Sequence, residues 1–176
     1  MKRSITITLD PKSIDSAIRE VRKSKRKAEF YAAQALIQRL VDFGVEIVKV
    51  KIANLGAVSS GSLLSGVDGY FSPMENLGFV KVSSDHAAFV EFGTGVVGQN
   101  SPHKNGEYLA RAAWDYASGS KIFTTKDGKV GWIYPTKDGK FRFTEGMESR
   151  PFMYQTALEL QSKFPEIVKE VFALDQ

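Results

Sequence analysis

The sequence contains no cysteine, only two histidines and only six prolines in 176 residues. Without thiols there is neither a disulfide framework nor thiolate chemistry, and the composition fits a reducing cytoplasm. His86 and His103 are the only imidazoles. Asp85 and Glu91 could add oxygens, yet no spacing matches a zinc or calcium site, so both histidines are expected on surface loops. No run approaches the roughly 20 apolar residues that a membrane span requires, so no membrane partner is expected. The start, MKRSITITLD, is basic but has no long apolar core behind it and does not read as a signal peptide. Ser59, Ser60, Ser62 and Ser65 are plentiful hydroxyls, but none stands in G-x-S-x-G, and GSLLSG has the wrong spacing for a nucleophile elbow. No catalytic residue, metal site or cofactor is therefore expected, and the chain is read as a non-enzyme.

What is present suffices for a core. Hydrophobic residues make up 43% and aromatics 11% of the chain, which the length assigns to a single domain over 1–176. The net charge is +4. Its excess gathers in VRKSKRK, where Arg22, Lys23, Lys25, Arg26 and Lys27 form a run. Such a run is either the solvated face of a helix or a contact for DNA or an acidic partner. It lacks the interleaved aromatics that stack bases.

Periodicity orders the elements. SITITL, residues 4–9, alternates like a short strand. Asp10 and Pro11 then read as N-cap and first residue of a helix. Ile14, Ile18, Val21, Ala28, Ala32, Leu36, Leu40, Phe43, Ile47 and Val50 recur at helical steps, predicting one long helix or two collinear ones of about 60 Å. Gly44 is its expected weak point, at a cost of about 1 kcal/mol relative to alanine, and Asn54-Leu-Gly56 its stop. Asn76 to Ser83 and AAFVEF (Ala87 to Phe92) read as strands. An extended loop is expected around 95–120, with a short helix over Tyr108 to Ala117. TKDGK at 125–129 recurs at 136–140, and Asp-Gly between strand-like runs predicts hairpins with I′ turns. KIFTT, KVGWIYP and KFRFT are thus three strands of a meander. Phe152, Leu158, Phe164, Val168 and Val171 mark the buried face of a last helix, which Pro165 should kink. The fold class is α+β: a long N-terminal helix and a C-terminal helix packed on a mostly antiparallel sheet with a hairpin meander.

Within HAAFVEFGTGVVGQ, residues 93–98 spell GTGVVG and match the dinucleotide fingerprint G-x-G-x-x-G. That motif needs a strand before it and a helix directly after it. Pro102, Gly106 and the polar residues between them leave no helix to follow, so a nucleotide-dependent enzyme is set aside. Glu91 ends the expected strand. It is either an exposed edge charge, an acceptor for turn amides, or a partner for Arg150.

HAAFVEFGTG, and EGMESRPFMYQTAL some fifty residues later, resemble the two motifs of the phage tail-completion and head–tail joining family, the gene-product-ten-like proteins of long-tailed phages. The family typically reads Y-A-x-[YF]-V-E-F-G-T and G-M-x-A-[RK]-P-F-[LM]-x-P-A. Ala88, Phe89, Val90, Glu91, Phe92, Gly93 and Thr94 match the first, and Gly146, Met147, Arg150, Pro151, Phe152, Met153 and Ala157 the second. SGSLLSG and the long N-terminal helix are similar as well. His86 stands where proline is commoner, and Gln155-Thr156 where Pro-Ala is usual. The resemblance implies a structural virion protein of the neck or tail, made in the host cytoplasm, that assembles as a homo-oligomer or ring with other neck or tail proteins. It also implies that Glu91 to Thr94 dock near Arg150, Pro151 and Phe152, with Glu91 and Arg150 as a polar clamp. The alternative is a basic nucleic-acid-binding protein using the 21–27 run.

Overall fold

The computed structural model describes residues 11–57, 61–117, 121–136 and 138–173. The expected strand over 4–9 and the Asp10 cap lie outside them. The order of elements is α1 (Pro11–Asn54), α2 (Ser62–Ser65), β1 (Val67–Ser72), β2 (Leu77–Val82), α3 (Ala87–Phe92), α4 (Gly95–Asn100), α5 (Gly106–Arg111), β3 (Phe123–Thr124), β4 (Val130–Pro135), β5 (Phe141–Thr144), β6 (Gly146–Met147) and α6 (Phe152–Ala173). The class is α+β, with long helices at both ends and antiparallel sheets between. No described helix is long and apolar enough to cross a membrane.

Helix α1 is unbroken over 44 residues, about 66 Å at 1.5 Å per residue. From Leu36 to Ile52 it is apolar on nearly every side, the pattern of a helix packed on more than one face. One face receives the β1–β2 hairpin. Gly69 and Gly78 seat it there, because a Cβ on Gly69 would come within 2.7 Å of Val41, and one on Gly78 within 2.6 Å of Ile37 and Val41. Another face receives α6, which runs antiparallel to α1. Arg39 meets Glu170 at 3.2 Å, and Lys51 meets Glu159 at 2.6 Å. Gly44 lies where hairpin and α6 meet, its missing Cβ leaving room for Val80 and Leu160. It is a packing position and not a break.

The helical stripe read from the sequence is only partly buried. Val48 and Ile52 are fully buried, whereas Ile18, Val21 and Val50 are exposed. In α6, Phe152 and Ile167 are buried while Leu158 and Phe164 face solvent, and the helix continues through Pro165. The core gathers at the C-terminal end of α1, where Val48, Ile52, Ala57, Leu63, Val90 and Phe152 meet.

The strands form two sheets, a β1–β2 hairpin and a β3–β4–β5 meander. The meander is the expected one, but its turns are not I′. Of the loop residues, Gly128 and Gly139 have positive φ, at 84° and 76°. Thr125 N–H donates to the Lys129 carbonyl at 2.8 Å, and Gly128 N–H to the Thr125 carbonyl at 3.0 Å. That is a three-residue loop closed by a left-handed glycine, and Thr136, Gly139 and Lys140 repeat its two hydrogen bonds at 2.7 and 3.0 Å. β1 went unread because Gly69 and the surrounding serines hide its strand character.

Candidate functional site

AAFVEF forms α3 and not a strand. Glu91 is consequently turned inward and is 3% exposed. Its target is the start of α6. Pro151 precedes that helix and offers no side-chain acceptor, so the first amides have no local cap. Glu91 supplies it from afar: Oε2 accepts from Met153 N–H at 2.9 Å, and Oε1 from Tyr154 N–H at 3.0 Å. The carboxylate also faces the positive end of the helix. Burial pushes its pKa up, and the Met153 and Tyr154 amides, then His103, pull against that rise.

The Glu91–Arg150 clamp does not form. Arg150 Nη1 donates instead to the Gly56 carbonyl at 2.8 Å, at the C-terminal end of α1, and Nε lies 3.8 Å from Glu148. The side chain opposite Glu91 is His103, whose Nε2 lies 3.4 Å from Oε1. His103 Nδ1 faces Asn105, 3.1 Å from its N–H and 3.4 Å from its carbonyl, which fixes the ring with Nε2 toward Glu91. His103 is 3% exposed, not a surface-loop residue. Phe92, Tyr108 and Tyr154 surround it at ring separations of 5.2–5.6 Å. Trp114 stacks beside Phe89 and Phe92 and donates to the Gly93 carbonyl at 2.8 Å. Burial, and then the Glu91 charge, raise the Tyr108 pKa.

The two motifs are joined along their backbones as well. Arg150 N–H donates to the Val90 carbonyl at 2.8 Å, Ser149 Oγ to the Glu91 carbonyl at 2.6 Å, and Met147 N–H to Thr94 Oγ1 at 3.2 Å. Antiparallel bridges link Thr94 to Met147 and Gly95 to Gly146. Gly146 has φ 101°, and a Cβ there would run into the Thr94 carbonyl. The sequence-selected residues Phe89, Glu91, Phe92, Gly93, Thr94, Gly146, Met147, Arg150, Pro151 and Phe152 therefore occupy one junction. Phe92 and Phe152 are buried in it. His103, Trp114 and Tyr154 belong to it too and were missed; their ring chemistry was the only available signal.

Comparison with protein-family models, curated proteins and solved structures returned no match.

GTGVVG needs a second correction, because a helix does follow it. α4 begins at Gly95 but spans only six residues and is preceded by a helix, not a strand. Two of its first-turn amides are already engaged: Gly95 N–H donates to the Tyr116 carbonyl at 2.7 Å and Val97 N–H to the Glu145 carbonyl at 3.2 Å. A phosphate would have to displace carbonyls that the fold needs. The expected loop around 95–120 thus holds α4 and also α5, which covers Gly106–Arg111 and stops short of Ala117.

On the outer side of the junction lies a concave pocket of about 530 Å³, walled by Leu63, His86, Phe89, Trp132, Tyr134 and Met147 among others. At the far end of the molecule the basic run sits on α1. Every described side chain from Asp15 to Tyr31 is exposed there.

Proposed function

We propose that the chain is a structural protein of a phage or prophage virion, acting in tail completion or head–tail joining by assembly and not by catalysis. The observation that carries this reading is the free half of α1. From Asp15 to Tyr31 the described side chains are exposed, and Gln34, one turn further on, donates to the Pro73 carbonyl at 2.8 Å. An arm of about 20 helical residues extends roughly 30 Å into solvent, without the tertiary packing that supplies most helical stability in proteins. Such an arm is useful to a protein whose neighbours cover it.

Two further features support the reading. The motif residues resembling the tail-completion family are engaged with one another, so their contribution is to hold a shape. Both small sheets also have outer edges that pair with no described strand, and such edges can augment a neighbour's sheet. In the virion, copies would close into a ring through a heterologous interface or dock on a neck or tail partner.

Sedimentation velocity and negative-stain electron microscopy test the proposal, on the protein alone and mixed with portal and tail-tube proteins of long-tailed phages. Rings or stoichiometric complexes are expected. A strict monomer in both settings overturns the reading.

A further inference from the structure

The charge of the molecule is concentrated in the arm. Residues 11–30 hold seven cationic and three anionic side chains, a net +4 equal to that of the whole chain. Residues 31–176 hold fifteen cationic and sixteen anionic side chains, a net −1. The run read from the sequence is not one surface, however. Lys25 pairs with Glu29 at 3.8 Å, and Lys27 lies over the Tyr31 ring at 5.7 Å. Arg19, Arg22, Lys23 and Arg26 are spaced i, i+3, i+4 and i+7. At 3.6 residues per turn they fall within an arc of about 100° over roughly 10 Å of axis. They line a shallow depression of about 260 Å³.

Arg19 Nε donates to the Asp15 carbonyl at 3.4 Å, and no ion pair joins Arg22, Lys23 or Arg26 to a described carboxylate. Like charges at i+3 and i+4 destabilise a helix, so this face is relieved when an anion covers it.

We infer that the α1 face formed by Arg19, Arg22, Lys23 and Arg26 is a docking surface for the phosphate backbone of duplex DNA, read without sequence preference. Guanidinium groups suit phosphate oxygens because their donors meet two at once. No apolar or aromatic side chain falls inside the arc between Arg19 and Arg26 to form the dry centre that a protein interface needs. No asparagine or glutamine stands there to read base edges. The inference rests on the charge geometry and stands apart from the proposed assembly role.

The test is fluorescence anisotropy with a random-sequence duplex across a salt series, with circular dichroism to verify helix content. The wild-type protein should bind in the range of about 10⁻⁴ to 10⁻⁶ M near physiological salt, with a log–log salt slope of about −3 to −4 for four phosphates. R19Q/R22Q/K23Q/R26Q should weaken binding at least tenfold and flatten the slope, while K25Q/K27Q should retain most of both. Absence of wild-type binding at low salt overturns the inference, as does equal loss in the two variants. Equal competition by polyglutamate of matched charge overturns the DNA assignment in favour of an acidic protein. Sedimentation of the same samples separates this result from the assembly question, since a DNA-binding monomer would leave this inference intact and remove the other.

Discussion

Pro151 leaves the amides at the start of α6 without a local cap, and the Glu91 carboxylate closes that gap through Met153 and Tyr154. Glu91→Ala should therefore cost about 2–3 kcal/mol, the penalty of buried donors left unmade, read from urea unfolding midpoints. Arg150→Ala should cost only about 1 kcal/mol, one hydrogen bond to the Gly56 carbonyl. Equal losses would contradict the division of roles found between these side chains. Burial raises the Glu91 pKa above its ordinary 4.5, so the folded chain keeps this proton at pH values where the unfolded chain has released it. The group's contribution to stability is then largest below 4.5 and declines as pH rises through the folded value. Glu91→Gln should flatten that segment of the stability–pH curve; an unchanged slope would locate the proton elsewhere. Gly146→Ala tests the other half of the junction. It combines an unfavourable φ of 101° with a clash against the Thr94 carbonyl, and a loss of about 2–4 kcal/mol is expected in thermal or urea unfolding.

Among the elements, those with a repeating signal were legible and those with a long-range cause were not. The spacing of Leu36, Leu40, Phe43 and Ile47 foretold α1, and the doubled TKDGK foretold the meander, because both signals are local. AAFVEF was misread. Its apolar residues are compatible with either period, and as a helix it turns Glu91 to the start of α6, 62 and 63 positions downstream. The same contact explains why the clamp was assigned to the wrong partner: Arg150 was visible as an opposite charge, whereas backbone amides carry no sequence signature. Gly44 was read as a cost to the helix, and the surrounding contacts reverse that sense. Alanine there gains about 1 kcal/mol of helix propensity, but its Cβ would lie 2.9 Å from Val80 Cγ2, on a stiff β-branched side chain. Overpacking of this kind costs about 1–3 kcal/mol, so Gly44→Ala should lower stability by about 1 kcal/mol. A gain would mean that the hairpin shifts freely on α1.

At the scale of the whole molecule, α1 is one element with two environments. Amides from Val41 onward lie under the hairpin and α6, whereas those from Asp15 to Phe30 belong to a stretch whose described side chains are all exposed. Hydrogen exchange read by mass spectrometry should show the arm exchanging orders of magnitude faster than residues 41–54 in the isolated protein, and slowing when a partner or DNA is added. Uniform protection along α1 without a partner would contradict an unsupported arm. The junction has a consequence of another kind. Gly95 and Gly146 are bridged to each other, and the chain between them returns to the junction through His103, Trp114 and Tyr116 before it builds the meander. The meander's two turns should therefore tolerate a change of length while the Arg39–Glu170 and Lys51–Glu159 pairs hold the two long helices in register.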